Sequence, residues 1–184
     1  EILEENPDVL ILGTGSTPLV PRLPGINGSN VHAAIDVLSN NINLGENVII
    51  AGGGFVGCET AVHLAEQGKE VTIIEMKERI LAEPMPFNNL LALSSMVVEN
   101  EINILASTKL VEIKDNEVIV EKVDGTIENI VCDSVVLALG FKSQENIKAE
   151  LEGKIKDIRV IGDALAPRKV KHAVNEGFEV ATLI

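Results

Sequence analysis

Residues 48–61 read VIIAGGGFVGCETA, and residues 71–75 read VTIIE. The apolar run before the glycines is partly β-branched, which is typical of a strand buried on both faces. Residues 55–67 carry apolar side chains at helical spacing, and Gly68 follows as a helix stop. This stretch therefore predicts a strand, a tight turn, a helix and a second parallel strand that ends in the carboxylate of Glu75.

The glycines of the predicted turn have separate physical tasks in a dinucleotide-binding unit. Gly52 makes the tight turn, Gly54 lets the backbone approach a diphosphate, and Gly57 lets the helix pack closely on the sheet. The diphosphate would lie on free N–H groups, at the positive dipole end of a helix that starts near Phe55 and Val56. The spacing therefore predicts a cofactor site at this turn.

Glu75 lies roughly 20 residues beyond the glycines, where a carboxylate accepts hydrogen bonds from the hydroxyls of an adenosine ribose. A carboxylate there repels a 2′-phosphate, so we expect NAD(H) as the cofactor, in preference to NADP(H). The alternative, a strand, turn and helix with a purely structural purpose, stays open at this point.

The composition indicates a folded protein that binds neither nucleic acid nor a membrane. The chain has 184 residues, of which 46% are hydrophobic, and a formal net charge of −13 that repels phosphodiester backbones. No apolar stretch reaches the roughly 18–20 residues that cross a bilayer, and no signal peptide opens the chain. We therefore expect a cytoplasmic protein.

The cysteines and histidines lack the spacing of a redox or metal site. Cys58 and Cys132 are far apart in sequence, which excludes a Cys-x-x-Cys dithiol and favours buried core positions. His32, His63 and His172 are isolated from one another and from the cysteines. They are predicted to be surface or packing residues, with no metal bound.

Patterns elsewhere in the chain predict the remaining elements. A strand at 8–12 and a helix at 30–40 precede the unit at 48–75, and the helix carries its apolar residues at helical spacing (Val31, Ala34, Ile35, Leu38). A helix after Pro86 (Leu90, Leu91, Leu93, Val97, Val98) and a third parallel strand at 102–105 follow the unit. A β-meander at 110–131, a strand at 134–139, a strand at 158–161 and a helix from 169 to the end follow. The predicted class is α/β: a Rossmann-like dinucleotide-binding domain, with a parallel sheet plus a β-meander, and a partial second domain.

Two apolar strands end in similar glycine turns, LGTG at 12–15 and LGF at 139–141, on either side of the dinucleotide unit. Pro18, Pro21 and Pro24 exclude a helix after the first of these turns, so it is not a second phosphate loop. The two similar strand ends favour a chain that leaves one domain, forms a second domain and then returns to the first. Two unrelated strand ends are the alternative.

Four motifs, taken in order, resemble the flavoprotein superfamily of pyridine nucleotide-disulfide oxidoreductases. They are LILGTGSTP at 10–18, GGGFVGCETA at 52–61 with Glu75, VVLALGF at 135–141 and IGD at 161–163. The stretches PR at 167–168 and AVNEGF at 173–178 resemble in particular the C-terminal module of the enoate reductase and 2,4-dienoyl-CoA reductase type of NADH:flavin oxidoreductases.

The resemblance implies a domain organisation. Residues 41–144 would form the NAD(H)-binding domain, inserted into a discontinuous FAD-type α/β domain whose latter parts are residues 1–40 and 145–184. The βαβ unit that begins the FAD domain in the family is absent from this sequence. Because the chain also starts at Glu1 without methionine, we expect a fragment of a longer protein.

The resemblance also implies site residues. Gly140 would lie beside the nicotinamide half of NAD, and Glu59 near the nicotinamide and flavin rings, unless Glu59 is only a first-turn residue stabilised by the helix dipole. In the intact protein Asp163 would bind the ribityl chain of FAD, unless it is only a helix cap or turn former. The residues implied at the FAD are Thr14, Gly15, Gly162 and Asp163.

The function implied is that of a nicotinamide-binding, electron-input module, which passes hydride from NADH to FAD in a parent that reduces an activated C=C bond. We assign no catalytic residue, because the cofactors carry this chemistry. The FMN and iron–sulfur cluster of enoate reductases would belong to missing N-terminal domains of the same polypeptide, so the chain alone is expected to be inactive. The incomplete FAD domain should expose apolar surface, which predicts self-association of the fragment.

Two other functions stay open. A non-enzymatic NAD-sensing or scaffold domain would use the same glycine turn. A complete small NAD dehydrogenase would need a proton-transfer residue near the nicotinamide, and the sequence has no convincing Ser-Tyr-Lys or His-Asp set.

Overall fold

The computed structural model describes residues 2–39, 42–144 and 146–184. Its strands are β1 (Val9–Leu12), β2 (Ser16–Pro18), β3 (Val31–Ala33), β4 (Asn47–Ala51), β5 (Glu70–Ile74), β6 (Asn103–Leu105), β7 (Thr108–Ile113), β8 (Glu117–Lys122), β9 (Ile127–Val131), β10 (Ser134–Leu137), β11 (Phe141–Ser143) and β12 (Asp157–Val160). Its helices are α1 (Ile2–Glu5), α2 (Ala34–Ser39), α3 (Phe55–Glu66), α4 (Phe87–Glu99), α5 (Asn146–Leu151) and α6 (Val170–Thr182), with a 3-10 helix at Gly162–Ala164. Two compact units result: Val20–Gly140, and Glu1–Leu19 together with Phe141–Ile184.

A five-stranded parallel sheet forms the centre of the unit Val20–Gly140, in the order β3-β10-β4-β5-β6. The predicted strand, turn, helix and strand are confirmed as β4, α3 and β5, and β6 confirms the third parallel strand. In register, Ile50 of β4 lies beside Ile73 of β5 and Val136 of β10. The carboxyl ends of β4, β5 and β10 therefore meet at one edge, where ligands of parallel α/β sheets bind.

Both faces of the sheet are buried, and alternate residues of a strand face opposite layers. Val48, Ile50 and Val136 belong to the core formed with the helices. Ile49 and Val135 belong to a second core formed with the β-meander. This explains why the central strands read as continuous apolar runs, and it confirms the predicted α/β class of parallel sheet plus meander.

The β-meander consists of β7, β8 and β9 in antiparallel order. Its second connection is a tight turn, in which Lys122 N–H donates to the carbonyl of Thr126 and Gly125 N–H donates back to that of Lys122. A register irregularity lies between Leu110 and Glu112 in β7. The predicted meander is therefore confirmed.

The predicted helix at 30–40 is wrong in its first part. Residues Val31–Ala33 form an edge strand parallel to β10, and only Ala34–Ser39 are helical. Pairing with β10 satisfies the backbone groups of this segment along the free edge of that strand. Ile35 and Leu38, predicted on a buried face, are 46% and 43% exposed. Asn40, the last residue of the predicted helix, lies outside the described residues.

The apolar face predicted for the helix after Pro86 is only partly correct. Leu93 and Val97 of α4 are buried in the core with the sheet. Leu91 and Val98 are exposed, because a helix that rests on one layer buries a stripe rather than every apolar side chain.

The unit of residues 1–19 and 141–184 contains two small sheets. β1 pairs with β12 in parallel, and β2 pairs with β11 in antiparallel orientation, so a short strand at residues 16–18 follows the first glycine turn. Helix α6 has no buried residue, and its apolar Val170 and Val174 are exposed. The predicted domain boundaries at 40/41 and 144/145 involve residues 40, 41 and 145, which lie outside the described residues.

Truncating the centre of the main core should cost much of the stability. Ile50 is 0% exposed, so Ile50→Ala is expected to lower the free energy of unfolding by about 2–5 kcal/mol, through lost burial and a residual cavity. Val98 is 74% exposed, and Val98→Ala should change it by less than about 0.5 kcal/mol. Urea-induced unfolding followed by circular dichroism measures both, and equal effects would contradict the described core.

No helix in the described part of the chain is long and apolar enough to cross a bilayer.

Candidate functional site

The chain leaves β4 through a turn that only glycine can make. Gly52 has φ +108°, and its N–H donates to the carbonyl of Ile74 at 2.9 Å. A Cβ atom on Gly52 would lie 2.5 Å from the carbonyl oxygen of Ala138, which follows β10. The turn is therefore held between the carboxyl ends of β5 and β10.

Gly57 and Gly54 are glycines for different reasons. A Cβ on Gly57 would lie 1.9 Å from the carbonyl oxygen of Gly52, so helix α3 packs on the turn at a distance that excludes any side chain. Gly54 has φ −73°, which suits any residue, and no atom lies within 4 Å of the position its Cβ would take. The chain itself gives no reason for glycine at 54, whereas a ligand that must approach the backbone does.

The first turn of α3 offers free hydrogen-bond donors. No side chain caps this helix, and its first backbone bond with the turn is from Cys58 N–H to the carbonyl of Gly54. Phe55, Val56 and Gly57 therefore have no acceptor for their N–H groups in the described part of the chain. Free N–H groups and the helix dipole together favour an anion at this point.

The carboxylate of Glu75 lies against the glycine turn. Its Oε2 accepts from the N–H of Gly53 at 2.7 Å, and its Oε1 accepts from the N–H of Lys77 at 2.8 Å. Both oxygens keep further lone pairs, and Glu75 is half-buried, so the carboxylate is oriented and still accessible. The structure thus brings the predicted glycines and the predicted acid together.

Glu59 and Gly140 come shortly after the two segments that meet at the turn, Glu59 on α3 and Gly140 after β10. Glu59 is on α3 and, with Phe55, lines a groove of about 410 Å³ between α3 and α4. Partial desolvation raises the pKa of the Glu59 carboxyl above its usual value, although much of the residue is exposed. Gly140 has φ +91° and comes two residues after Ala138, whose carbonyl oxygen touches Gly52.

The residues implied at FAD are clustered in the other unit. Asp163 accepts from the hydroxyl of Ser16 at 3.3 Å, and from the N–H of Arg168 at 3.1 Å. The first bond places the loop of Thr14 and Gly15 beside the segment of Gly162 and Asp163. Gly15 and Gly162 have φ values of +77° and +62°, which a side chain would strain.

Sequence reasoning missed the residues that support each cluster. Glu176 of α6 accepts from the N–H of Gly162 at 2.7 Å and pairs with Arg168. Ile80 and Leu81 contact Gly53: the Leu81 N–H donates to the Gly53 carbonyl at 2.7 Å, and Ile80 Cγ2 lies 2.6 Å from the position of a Gly53 Cβ. The sequence signal for Ile80 and Leu81 was that they form an apolar pair within the otherwise mostly polar stretch that follows Glu75.

Cys58 and Cys132 confirm the predicted core positions. Both are 0% exposed. Burial raises the pKa of the Cys58 thiol to about 12, with Glu75 and Glu59 adding to the rise, and burial raises the pKa of Cys132 to about 11. Neither thiol is therefore ionised at neutral pH. The described residues contain no group of His, Cys, Asp and Glu that could hold a metal ion.

These thiols should resist alkylation in the folded chain. The thiolate is the reactive species, so iodoacetamide at about pH 8 is expected to label neither Cys58 nor Cys132 within an hour, and to label both in denaturant. Mass spectrometry of the intact chain measures the number of adducts. Rapid labelling of native Cys58 would contradict its described burial.

The glycine turn fits an adenine dinucleotide. Free N–H groups and the side-chain-free position at Gly54 suit a diphosphate, and an oriented carboxylate one strand away suits the two hydroxyls of a ribose. The same carboxylate would repel a phosphate on the ribose.

Comparisons with known proteins agree with this geometry. The family described as pyridine nucleotide-disulphide oxidoreductase matches residues 4–177. Cinnamate reductase of Clostridium sporogenes is 38% identical over 98% of this chain, and NADH oxidase of Thermoanaerobacter brockii is 40% identical over 96% of it. The chain spans 27% and 28% of these two proteins. The solved complex of 2-naphthoyl-CoA reductase with 2-naphthoyl-CoA superposes with a TM-score of 0.87 at 29% identity, over 97% of this chain and 27% of that one.

Proposed function

The chain belongs to the pyridine nucleotide-disulphide oxidoreductase family, and from this premise we propose that it is the nicotinamide-binding, electron-input module of a flavin-dependent oxidoreductase. Proteins of this family bind FAD and NAD(H). The observation that carries the proposal for this chain is the Glu75 carboxylate, hydrogen-bonded to the N–H of Gly53 inside the turn. When bound, NADH supplies a hydride and FAD receives it.

The residues of this chain bind and orient rather than react. Gly54, Phe55 and Val56 present N–H groups to the diphosphate, and Glu75 accepts from the adenosine ribose. The Gly52 to Gly57 contact fixes the helix end at which the donors lie. Glu59 and Gly140 are proposed to line the nicotinamide half. Such fixed anchoring is how a protein aligns a reactive ring without contributing an acid or a base.

We propose the domain division expected from the sequence. Residues 41–144 would bind NAD(H), and residues 1–40 and 145–184 would be the latter parts of a discontinuous FAD domain. The compact unit Val20–Gly140, with Phe141–Ile184 returning to Glu1–Leu19, supports the insertion of one domain into another, although this unit also includes residues 20–39, which the sequence assigned to the FAD domain. In the intact protein Thr14, Gly15, Gly162 and Asp163 would bind FAD.

The acceptor proposed for the parent protein is an activated carbon–carbon double bond. Similarity to a cinnamate reductase and to a 2-naphthoyl-CoA reductase supports this choice. The missing N-terminal domains of the same polypeptide would supply the acceptor site, together with FMN and an iron–sulfur cluster. A cytoplasmic location and self-association of the fragment remain predictions.

Anaerobic reduction of the flavin in the full-length polypeptide tests the proposal. Mixing with NADH in a stopped-flow instrument should bleach the flavin absorbance, and Glu75→Ala should raise the NADH concentration needed for half-maximal rate. Binding of NADH without bleaching would instead support the NAD-sensing or scaffold alternative. An unchanged half-saturating NADH concentration in Glu75→Ala would contradict the site.

A further inference from the structure

We propose that Leu81 and Cys58 are positioning residues, which hold the carbonyl of Gly53 and so aim the N–H of Gly54 at the diphosphate. The inference rests on the proposed function, because it concerns the same turn. Neither residue is part of the glycine pattern, and each reaches the turn from a different part of the chain, Leu81 from the segment after Glu75 and Cys58 from α3.

Two donors converge on the Gly53 carbonyl from inside the protein. The Leu81 N–H donates to it at 2.7 Å, and the Cys58 thiol donates to it at 3.5 Å. Both residues are buried and belong to the core between the sheet and the helices. The Gly53 carbonyl therefore points into this core.

The direction of the next N–H follows from peptide geometry. None of the described peptide bonds is cis, and in a trans peptide the carbonyl of one residue and the N–H of the next point in opposite directions. With the Gly53 carbonyl held inward, the Gly54 N–H points outward. In the described part of the chain no acceptor is found for the Gly54 N–H, and no atom lies within 4 Å of a Cβ position on Gly54, so both the donor and the space beside this residue are free.

Gly53 is held on its other side as well. Its N–H donates to Glu75 Oε2, the same carboxylate that is proposed to bind the ribose. Both peptide groups that meet at Gly53 are thus fixed before any ligand arrives. A donor already aimed in the free protein costs less ordering on binding, so preorganisation raises affinity.

The backbone at Leu81 supports a positional role. Leu81 has φ +53°, a left-handed conformation that costs a leucine free energy and persists only where the surroundings impose it. Its buried side chain fixes the segment in place, and this brings the Leu81 N–H to Gly53. The high pKa of Cys58 keeps its sulfur protonated, and therefore a donor, at neutral pH.

Removing the thiol donor tests the proposal. Cys58→Ala should weaken binding of NADH and of ADP by about threefold, as expected for one neutral hydrogen bond, and should leave binding of adenosine unchanged. Cys58→Ser keeps a donor and should bind like the native chain. Cys132→Ala is the matched control: it removes an equally buried thiol from the other core and should not change affinity.

Leu81→Gly extends the test to the backbone donor. It keeps the N–H and relieves the positive φ, but it removes the side chain that fixes the segment, so ADP affinity should fall by about tenfold. Calorimetry gives the affinities, and the ¹⁵N–¹H signal of Gly54 should shift in Cys58→Ala and not in Cys132→Ala.

The outcomes separate the two proposals. Native affinity for ADP in both Cys58→Ala and Leu81→Gly would overturn the positioning roles while the cofactor site stands. Equal losses in Cys58→Ala and Cys132→Ala would assign the effect to core packing and overturn the proposal. Failure of the native chain to bind NADH or ADP would overturn the proposed function itself.

Discussion

Gly57→Val is expected to destabilise the chain and to abolish measurable binding of NADH at the concentrations that saturate the native chain. A Cβ at this position would lie 1.9 Å from the Gly52 carbonyl oxygen and 3.3 Å from the Ala138 Cβ, so helix α3 or the turn must move. Overpacking of this kind costs typically about 1–3 kcal/mol of unfolding free energy. The same displacement changes the position of the free N–H groups of α3 relative to the glycine turn and to Glu75.

Gly54→Ala is the companion variant, and it should lose affinity for NADH with little loss of stability. Alanine suits φ −73° and meets no atom within 4 Å, so the free energy of unfolding should fall by less than about 1 kcal/mol, the small cost of alanine in place of glycine at a helix N-cap. Its methyl group would lie where the diphosphate approaches the backbone, and NADH affinity should fall at least about tenfold. Unchanged affinity in Gly54→Ala would contradict the placement of the diphosphate.

Glu75→Ala should weaken NADH binding by about 10–150-fold, the range expected when a charged hydrogen-bond partner is removed. The loss has two parts. The ribose hydroxyls lose their acceptor, and the N–H groups of Gly53 and Lys77 lose theirs, which frees the turn. Because the repulsion of a 2′-phosphate is lost too, the preference for NADH over NADPH should narrow.

Glu70→Ala controls for the loss of one negative charge from the same strand. Glu70 is exposed at the opposite end of β5, so its replacement should leave affinity for both coenzymes unchanged. Isothermal titration calorimetry of native chain, Glu75→Ala and Glu70→Ala with NADH and NADPH gives all the values. A Glu75→Ala chain that keeps native affinity and preference would show that the carboxylate does not bind the ribose.

The sequence alone was sufficient for the central unit because its determinants are local. The strand β4, the turn at Gly52, helix α3 and the acid at Glu75 follow one another within a single βαβ segment. The tightest contact of Gly57 is with the carbonyl of Gly52, five residues earlier, and the periodicities of 2 and 3.6 residues are unambiguous in this segment.

Elements whose formation depends on distant partners were not predictable in the same way. The local pattern predicts a helix at Val31–Ala33, but these residues form a strand because they pair with β10, which lies about a hundred residues further along the chain. The contact of Leu81 with Gly53 depends on a positive φ that no periodicity signals. The bond from Gly162 to Glu176 likewise joins a turn to a later helix.

Crystals of this chain soaked in NADH show directly whether the glycine turn and Glu75 bind the coenzyme. We expect a diphosphate on the N–H groups of Gly54, Phe55 and Val56, with an oxygen of Glu75 within hydrogen-bonding distance of the adenosine ribose. A coenzyme bound elsewhere, or a glycine turn without density at saturating NADH while Glu75 points away from it, would contradict the account.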